Sequence, residues 1–410
     1  MYIFKAGVVG AGTMGAEIAQ VISYSGLPVV LKDVDQAMLE RGMARIRDIY
    51  QRRVDRGKMG AGEMESRLAL IEPTLTYDGF GEVDIVIEAV PERMDLKKRV
   101  FAELDAACPE TTIFASNTSA LSISEMGAAT RRPAKVIGMH FFNPAHVMKL
   151  VEVIPGLDTS QETVDDVVSF AESLRKIPVV VQECPGFLVN RLLMPYLNEA
   201  TLCLQEGAAD AQTIDRAIVD FGMPMGPFTL MDMLGIDVCS DVGLYLYSEY
   251  GERMRPAGLF HKLLAAGRLG EKAGAGFYGY GSESDEPVEA MIAEMQRTGE
   301  ARTGTPFSVE RLMYPLINEA SLCLQERIAG LADIDMAMVA GTGMTWRGER
   351  MGPLALADHL GLDTVLAGLE KFQAEPWGGE RFRPARLLKL KVRAGHLGRK
   401  VGKGFHEYTT

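Results

Sequence analysis

Short apolar runs alternate with amphipathic stretches along the first 185 residues of the chain. The apolar runs are typical of buried strands, and we place strands at 2–9, 29–31, 83–87, 112–115, 135–139, 147–154 and 178–181. The stretches between them carry apolar residues at helical spacing, as in Met14, Ile18 and Ile22 after the first run. Regular alternation of strands and helices predicts an α/β, doubly wound domain of Rossmann type at residues 1–185.

Beyond residue 185 the apolar spacing becomes helical, and the sequence repeats itself. Residues 191–200, RLLMPYLNEA, recur as 311–320, RLMYPLINEA, and the later matches keep the same order. Among them are Met225-Gly226-Pro227 with Met351-Gly352-Pro353, and Gly274-Ala275-Gly276-Phe277 with Gly402-Lys403-Gly404-Phe405. We therefore predict two copies of one all-α domain, at 186–281 and 307–410. A polar linker at 282–306, with a short helix around 288–296, joins them.

The first strand leads into a glycine-rich turn that opens a helix. Gly10 and Gly12 permit a tight turn close to a pyrophosphate, and Gly15 lets the helix pack on the strand. The second strand ends at Asp33, where a carboxylate can accept hydrogen bonds from adenosine ribose hydroxyls and would repel the 2′-phosphate of NADP. The stretch predicts NAD as cofactor, bound through Gly10, Gly12, Thr13, Met14, Gly15 and Asp33.

Polar residues suited to redox chemistry follow the later strands. His140 supplies a base and Glu152 a carboxylate that can orient it, while Ser119 and Asn190 supply neutral hydrogen-bonding groups. These are the parts needed to remove a proton while a hydride leaves the same carbon. We predict the four residues as the catalytic group. On the residues alone an alternative stays open, in which His140 is a satisfied core histidine and Glu152 a surface charge.

Composition narrows the function classes. The hydrophobic content of 47% and charged content of 24% are ordinary for a globular protein. A formal charge of -12 argues against nucleic acid as a partner. Five widely spaced cysteines without a C-x-x-C suggest neither a disulfide framework nor a metal site. Because we find no membrane-length apolar run and no room for a signal peptide, we expect a cytoplasmic protein without membrane association.

The predicted helical stretch 36–70 contains seven basic residues within an acidic protein. They are Arg41, Arg45, Arg47, Arg52, Arg53, Arg56 and Lys58. Such charges usually form a solvated face. The functional alternative is that a subset, among which we single out Arg56 and Lys58, receives a polyanionic part of the substrate.

Five motifs together resemble the L-3-hydroxyacyl-CoA dehydrogenases. They are GAGTMG at 10–15, EAVPE at 88–92, SNTS at 116–119, HFFNP at 140–144 and PGFLVNR at 185–191. The resemblance implies NAD-dependent oxidation of an acyl-CoA substrate in β-oxidation or related fatty-acid metabolism, with His140 as base paired with Glu152. It also implies that Ser119 and Asn190 contact the substrate oxygen, and that Glu92, Lys97, Ser119 and Asn143 surround the nicotinamide and its ribose. By the same resemblance, the polyanion would be the phosphates of coenzyme A.

The two-copy helical half resembles the dehydrogenase part of multifunctional fatty-acid oxidation proteins. We expect a stand-alone enzyme without the hydratase/isomerase domain of those proteins, associating at most with a separate hydratase or thiolase. Single-copy relatives pair these helical domains between subunits, so the duplicate is expected to replace the partner, in a monomer or a homodimer. Glu310 stands at the position of Asn190, which predicts that the second copy forms no active site.

Three other functions remain to be weighed. A Ser-His-Glu hydrolase would use similar residues, but Ser119 lies in no G-x-S-x-G turn. A non-catalytic structural protein on this fold would have lost the site residues, which are all present. A dehydrogenase of a free hydroxyacid or sugar acid is the nearer rival. The sequence does not reveal the acyl chain length.

Overall fold

The computed structural model describes residues 2–281 and 284–408. Residue 1, the first two residues of the predicted linker (282 and 283) and the last two of the predicted second copy (409 and 410) lie outside the described residues. Tertiary contacts divide the chain into two compact units, Met1–Phe187 and Leu188–Thr410. Within the described ranges, no helix combines the length and the apolar character needed to cross a membrane.

An eight-stranded sheet forms the centre of the first unit, in the spatial order β3-β2-β1-β4-β5-β6-β7-β8. Its strands are β1 Ala6–Val9, β2 Val29–Lys32, β3 Ile71–Thr74, β4 Ile85–Glu88, β5 Ile113–Ser116, β6 Val136–Phe141, β7 Leu150–Pro155 and β8 Ile177–Val180. Neighbouring strands are parallel except β6 and β7. Crossover connections place the carboxyl ends of β1, β2, β4, β5 and β6 on one edge, where ligands bind in such sheets.

Six helices accompany this sheet, and their apolar faces close the core of the unit. They are α1 Thr13–Tyr24, α2 Gln36–Asp55, α3 Ala61–Leu68, α4 Met94–Ala107, α5 Ile123–Gly127 and α6 Gln161–Ser173. The prediction of a Rossmann-like α/β half followed by a mostly helical half is confirmed. The predicted helical stretch 36–70 is two helices with a break at 56–60.

Two details of the strand prediction were wrong. The strand predicted at 2–9 begins only at Ala6, and the side chains of Tyr2 and Phe4 are exposed, so apolar character there did not signal burial. The edge strand β3 was missed because Pro73 and Glu72 break its apolar pattern. The antiparallel run of β7 beside β6 follows from a short connection, which leaves no room for a crossover helix.

The second unit is almost entirely helical. Its helices are α7 Val189–Gln205, α8 Ala211–Phe221, α9 Pro227–Leu234, α10 Ile236–Tyr250, α11 Leu259–Ala265, α12 Glu286–Thr298, α13 Val309–Gln325, α14 Leu331–Thr342, α15 Pro353–Leu360, α16 Leu362–Ala374 and α17 Arg386–Arg393. A small hairpin joins β9 Thr345–Trp346 to β10 Glu349–Arg350. Helices α7 to α11 recur in the same order as helices α13 to α17. We call α7 to α11 the first run and α13 to α17 the second run. Helix α12, the helix predicted around 288–296, lies between them in the chain.

Helices α7 and α13 pack against each other through reciprocal buried ion pairs. Arg191 of α7 donates to Glu319 of α13 at 2.8 Å, and Arg311 of α13 donates to Glu199 of α7 at 2.6 Å. Each arginine also reaches a carboxylate at the far end of the opposite helix: Arg191 pairs with Glu326, and Arg311 with Glu206, both at 2.7 Å. The same surface of each helix therefore meets the same surface of the other, as in a two-fold interface.

Candidate functional site

The glycine turn between β1 and α1 has the shape that a dinucleotide pyrophosphate requires. Gly10 adopts a φ of +100°, and a Cβ there would lie 2.6 Å from the carbonyl oxygen of Ala89. A Cβ on Gly15 would lie 1.8 Å from the carbonyl oxygen of Gly10. The space over Gly12 is open, and α1 begins at Thr13 without a side-chain cap. The first N–H groups of α1 therefore face a gap that an anionic group fits.

Asp33 follows β2 and holds the glycine turn in place. Its carboxylate accepts hydrogen bonds from the backbone N–H of Ala11 and of Val34, both at 2.7 Å. The neighbouring Lys32 is buried, and its ammonium lies 4.4 Å from the centre of the Tyr77 ring. Lys32 is thus engaged elsewhere and does not offset the negative charge that Asp33 presents to a 2′-phosphate.

A buried ion pair organises the ends of β4 and β5. Glu88 accepts two hydrogen bonds from the ammonium of Lys97, at 2.8 and 3.0 Å, and one from the hydroxyl of Ser116 at 2.6 Å. Lys97 also lies 3.2 Å from Glu92, which in turn accepts from the hydroxyl of Thr118 and the N–H of Ser119. Because Lys97 is fully buried, Glu92 is the member of this network that solvent or a ligand reaches.

His140 and Glu152 are directly opposite each other on the antiparallel pair β6 and β7. The Nδ1 atom of His140 lies 2.7 Å from a carboxylate oxygen of Glu152, and both side chains are buried. A carboxylate accepts only, so it holds the proton on Nδ1 and leaves Nε2 of the neutral ring as the acceptor. Glu152 is fully buried against the ring, so the alternative in which this residue is a surface charge is wrong.

Aromatic rings enclose the imidazole of His140. The ring centre of Phe142 lies 4.6 Å from that of His140, and the ring centre of Phe187 lies 5.9 Å away. Phe187 adopts a left-handed backbone with φ of +49°, and its N–H donates to the carbonyl of Cys184 in a tight turn. A buried phenylalanine in this region costs conformational energy, which indicates that the turn fixes the ring beside the histidine.

The other predicted site residues are distributed over both units. Ser119 is half-buried after β5, and Asn143 is exposed after β6. Asn190 is half-buried in the first turn of α7, in the helical unit. The first unit thus brings together the ends of β1, β2, β4, β5 and β6 with the glycine turn, the Glu88 network and the His140–Glu152 pair.

A basic cavity of 590 Å³ lies between α1, α2 and the loops before β7 and β8. Eight of its lining residues carry basic side chains: Arg52, Arg53, Arg56, Lys58, His146, Lys149, Arg175 and Lys176. No aspartate or glutamate is among the described residues that line it. Burial, aided by the nearby charge of Lys149, lowers the pKa of Lys176 to about 8. A cavity lined by so many basic side chains suits a polyanion.

A second cavity, of 490 Å³, adjoins the glycine turn and shares Ile49, Arg52 and His146 with the first. It includes Gly12 and Thr13. The buried Glu17 of α1 accepts from the N–H of Ala145 at 2.7 Å and lies 3.3 Å from Nδ1 of His146. Burial opposes ionisation of Glu17, but these hydrogen bonds and Arg45 outweigh it and lower its pKa. The two cavities adjoin at the residues they share, and the second reaches the start of α1.

Several residues of these cavities had no signal in the sequence. His146, Lys149, Arg175 and Lys176 come from two separate loops, and no spacing relates them to Arg56 and Lys58. The Glu88–Lys97 pair likewise joins a strand end to a helix nine positions later. A glutamate inside an otherwise apolar strand was the available hint, since a buried carboxylate needs a partner.

Family models match nearly the whole chain. The model described as 3-hydroxyacyl-CoA dehydrogenase, NAD binding domain, matches residues 5–184. The model described as 3-hydroxyacyl-CoA dehydrogenase, C-terminal domain, matches twice, at 186–280 and 307–408.

Curated relatives and solved structures agree with these models. A fatty acid oxidation complex subunit alpha from Acinetobacter baylyi is 40% identical over 380 residues, which is 90% of this chain and 52% of that protein. The chain thus spans about half the length of the curated relatives it matches. A 3-hydroxybutyryl-CoA dehydrogenase from Escherichia coli K12 superposes with a TM-score of 0.86 at 31% identity, covering 96% of this chain and 99% of that one. A (S)-3-hydroxybutyryl-CoA dehydrogenase from Ralstonia eutropha is 42% identical with a TM-score of 0.67, covering 68% of this chain and all of that one.

Proposed function

Since this chain belongs to the 3-hydroxyacyl-CoA dehydrogenase family, we propose that it catalyses the reversible oxidation of an L-3-hydroxyacyl-CoA to the 3-ketoacyl-CoA with NAD. The observation that carries the proposal is the buried pair of His140 and Glu152, joined at 2.7 Å at the ligand-binding edge of the sheet. NAD, when bound, supplies the hydride acceptor. The open face of Gly12 and the free first turn of α1 fit its pyrophosphate.

The proton of the substrate hydroxyl goes to Nε2 of His140. Glu152 keeps the proton on Nδ1 and stabilises the cation that the ring becomes. The rings of Phe142 and Phe187 shield the imidazole from solvent. The family resemblance supports Ser119 and Asn190 as hydrogen-bonding partners of the reacting oxygen, and Glu92, Lys97 and Asn143 as residues near the nicotinamide and its ribose.

Replacing His140 with Gln tests this role. The substitution keeps a hydrogen-bonding side chain of similar size but removes the base, so kcat should fall by about two to four orders of magnitude. The assay follows NAD reduction with a panel of 3-hydroxyacyl-CoA thioesters and the matching free hydroxyacids. Near-normal turnover of the variant would exclude His140 as the base. Equal activity on free hydroxyacids would favour the rival dehydrogenase function.

We assign the 590 Å³ basic cavity to the phosphates of coenzyme A. Arg56 and Lys58 line it together with Lys149 and Arg175, and none of these four pairs with a carboxylate among the described residues. Phosphate groups bind most strongly to such free guanidinium and ammonium groups. The second cavity shares residues with this one and reaches the glycine turn. This supports the assignment, because the phosphates of NAD and of coenzyme A would then lie in adjoining cavities.

The double variant Arg56→Ala/Lys58→Ala should raise KM for the acyl-CoA roughly two- to tenfold and leave kcat nearly unchanged, because it removes partly screened contacts that do not touch the reacting carbon. Arg47→Ala, in the preceding helix α2, is the matched control, since Arg47 pairs with Glu65 at 2.8 Å and lines neither cavity. An equal rise in KM for the control would show a general charge effect. No rise in the double variant would place the phosphates elsewhere.

We propose that residues 1–185 form the NAD-binding domain, and that 186–281 and 307–410 are two copies of one domain joined by the linker 282–306. The two matches of the C-terminal model support this division, as do the reciprocal ion pairs of α7 and α13. A second copy that packs on the first replaces the partner subunit of a dimer, so a monomer suffices for stability. Association with a separate hydratase or thiolase stays a prediction.

A further inference from the structure

A third basic cavity lies wholly within the helical unit and plays no part in the proposed reaction. Its volume is 550 Å³, within the range of small-molecule sites. Five basic side chains and one acidic side chain line it: Arg253, Arg383, Arg386, Lys389, Arg393 and Glu380. Leu322 and Leu390 supply apolar surface on its wall.

Three of these basic residues share one face of α17. Arg386, Lys389 and Arg393 follow a spacing of three and four positions, which aligns side chains along a helix. None of the three pairs with a carboxylate within residues 2–281 and 284–408, whereas Arg253 and Arg383 lie 3.2 and 3.3 Å from glutamates. The charge of this face of α17 is therefore not neutralised by the protein.

The matching helix of the first run, α11, lacks this charge. Asn198 donates to the carbonyl of Arg255 and Asn318 donates to that of Arg383, both at 2.9 Å, which aligns residue 255 with residue 383. In this alignment the positions of Arg386, Lys389 and Arg393 are occupied in the first run by Gly258, His261 and Ala265. The basic face is a property of the second run alone.

The linker helix α12 covers the corresponding groove of the first run. Gln296 of α12 donates to the carbonyl of Gln205 at 2.9 Å, and Lys262 of α11 pairs with Glu300 at 3.0 Å. A Cβ on Gly258 would lie 3.1 Å from the terminal methyl of Met295, so α12 packs closely over that glycine. Arg386 replaces this glycine in the second run. A helix placed there in the same way would meet the arginine side chain, and the groove is an open, basic cavity.

We propose that this cavity binds an organic polyphosphate of nucleotide size. Free arginine and lysine side chains at helical spacing can hold two or more phosphate groups, and the leucines can contact the organic part. Adenine nucleotides and the phosphorylated end of coenzyme A share this chemistry. The arginine that stands in place of the glycine beneath α12 favours a small anion over a docked acidic helix.

Hydrogen exchange on the full chain tests the proposal at the site itself. ADP and coenzyme A are added separately, and protection is read from peptides covering 383–393. Each ligand that binds should slow exchange there. The variant Arg386→Gly/Lys389→His/Arg393→Ala should lose the protection and weaken binding about tenfold or more. It carries the residues that the first run already tolerates, so its thermal midpoint and dehydrogenase turnover should match those of the native chain.

Comparison of ADP with coenzyme A identifies which molecule supplies the phosphates. Stronger protection by ADP than by coenzyme A points to a free nucleotide, and the reverse order points to coenzyme A. Absence of protection by both at millimolar concentration would overturn the proposal, as would equal protection in the triple variant. A synthetic peptide of residues 284–300 is the third arm. If that acidic peptide protects 383–393 while ADP and coenzyme A do not, the cavity is a protein-docking surface and the proposal is wrong.

Discussion

In the first helical run the carboxylate of Asp215 accepts the N–H of Phe228 at 2.9 Å, and in the second run Asp335 accepts the N–H of Leu354 at 2.8 Å. Asn198 and Asn318 correspond in the same way, and so do Arg191 of α7 and Arg311 of α13. The two runs differ at Asn190 against Glu310, Tyr278 against His406, and Gly258 against Arg386. The polar residues that both runs keep satisfy buried groups, whereas these three differences lie at half-buried or exposed positions.

This difference fits the proposal that only the first run contributes to the active site. Loss of a buried hydrogen bond or ion pair destabilises the whole helical unit, so both runs must retain those residues. A position that only touches a ligand is free to change once its run has no ligand of that kind. We infer that Glu310 is a change of this sort.

The largest effect is expected from the central ion pairs. Arg311→Met leaves Glu206 buried without a guanidinium and Glu199 with only that of Arg381, which should lower the free energy of unfolding by about 3 to 5 kcal/mol. Arg191→Met is the matched variant. Its effect should be smaller, because the side chain of Glu326 is 38% exposed and water can solvate it, whereas that of Glu206 is 5% exposed. Urea unfolding of both variants measures the difference, and a larger loss for Arg191→Met would contradict this account.

The next largest effect is expected from substitutions at the matching positions Asn190 and Glu310 of the two runs. Asn190→Ala should lower kcat/KM by the worth of one hydrogen bond to the reacting oxygen, roughly 1 to 3 kcal/mol. Glu310→Ala, at the matching position, should leave turnover nearly unchanged. Steady-state assays on both folded variants measure the two changes. If Glu310→Ala lowers turnover and Asn190→Ala does not, the roles of the two runs have been assigned the wrong way round.

The positions of the site residues could be predicted from the sequence where a strand leads directly into a turn or a helix. The glycine turn, Asp33 and the strand ends that carry His140 and Glu152 were identified because a strand followed by a turn or helix fixes their position. The basic cavity could be predicted only in part. Arg56 and Lys58 lie in a recognisable basic stretch, but Lys149 and Lys176 join them only through the packing of separate loops. Single-sequence periodicity contains no information on such contacts.

The smallest effect is expected from His406, a titratable residue that stands where the first run has Tyr278. In the first run the hydroxyl of Tyr278 donates to Asp215 at 3.0 Å, and in the second Nε2 of His406 lies 2.7 Å from Asp335. The hydrogen bond to Asp335 raises the pKa of His406, and the charge of Asp358 adds to it while that of Lys391 opposes it. A raised folded pKa stabilises the protein fully at pH below the unfolded value, and this stabilisation disappears as pH rises through the folded pKa.

His406→Tyr places the first-run residue in the second run and removes this titration. The free energy of unfolding of this variant and of the native chain is measured in urea at about pH 6 and about pH 9. The variant should be less stable than the native chain by a larger amount at the lower pH. The reason is that only the native chain gains a charged hydrogen bond to Asp335 there. Groups common to both proteins cancel in this difference. Tyr278→Phe is the control: it removes the matching hydrogen bond of the first run, and its stability deficit should be independent of pH over the same range, since a buried tyrosine hydroxyl with a raised pKa does not ionise there. A stability difference between the native chain and His406→Tyr that stays constant with pH would show that folding does not raise the pKa of His406.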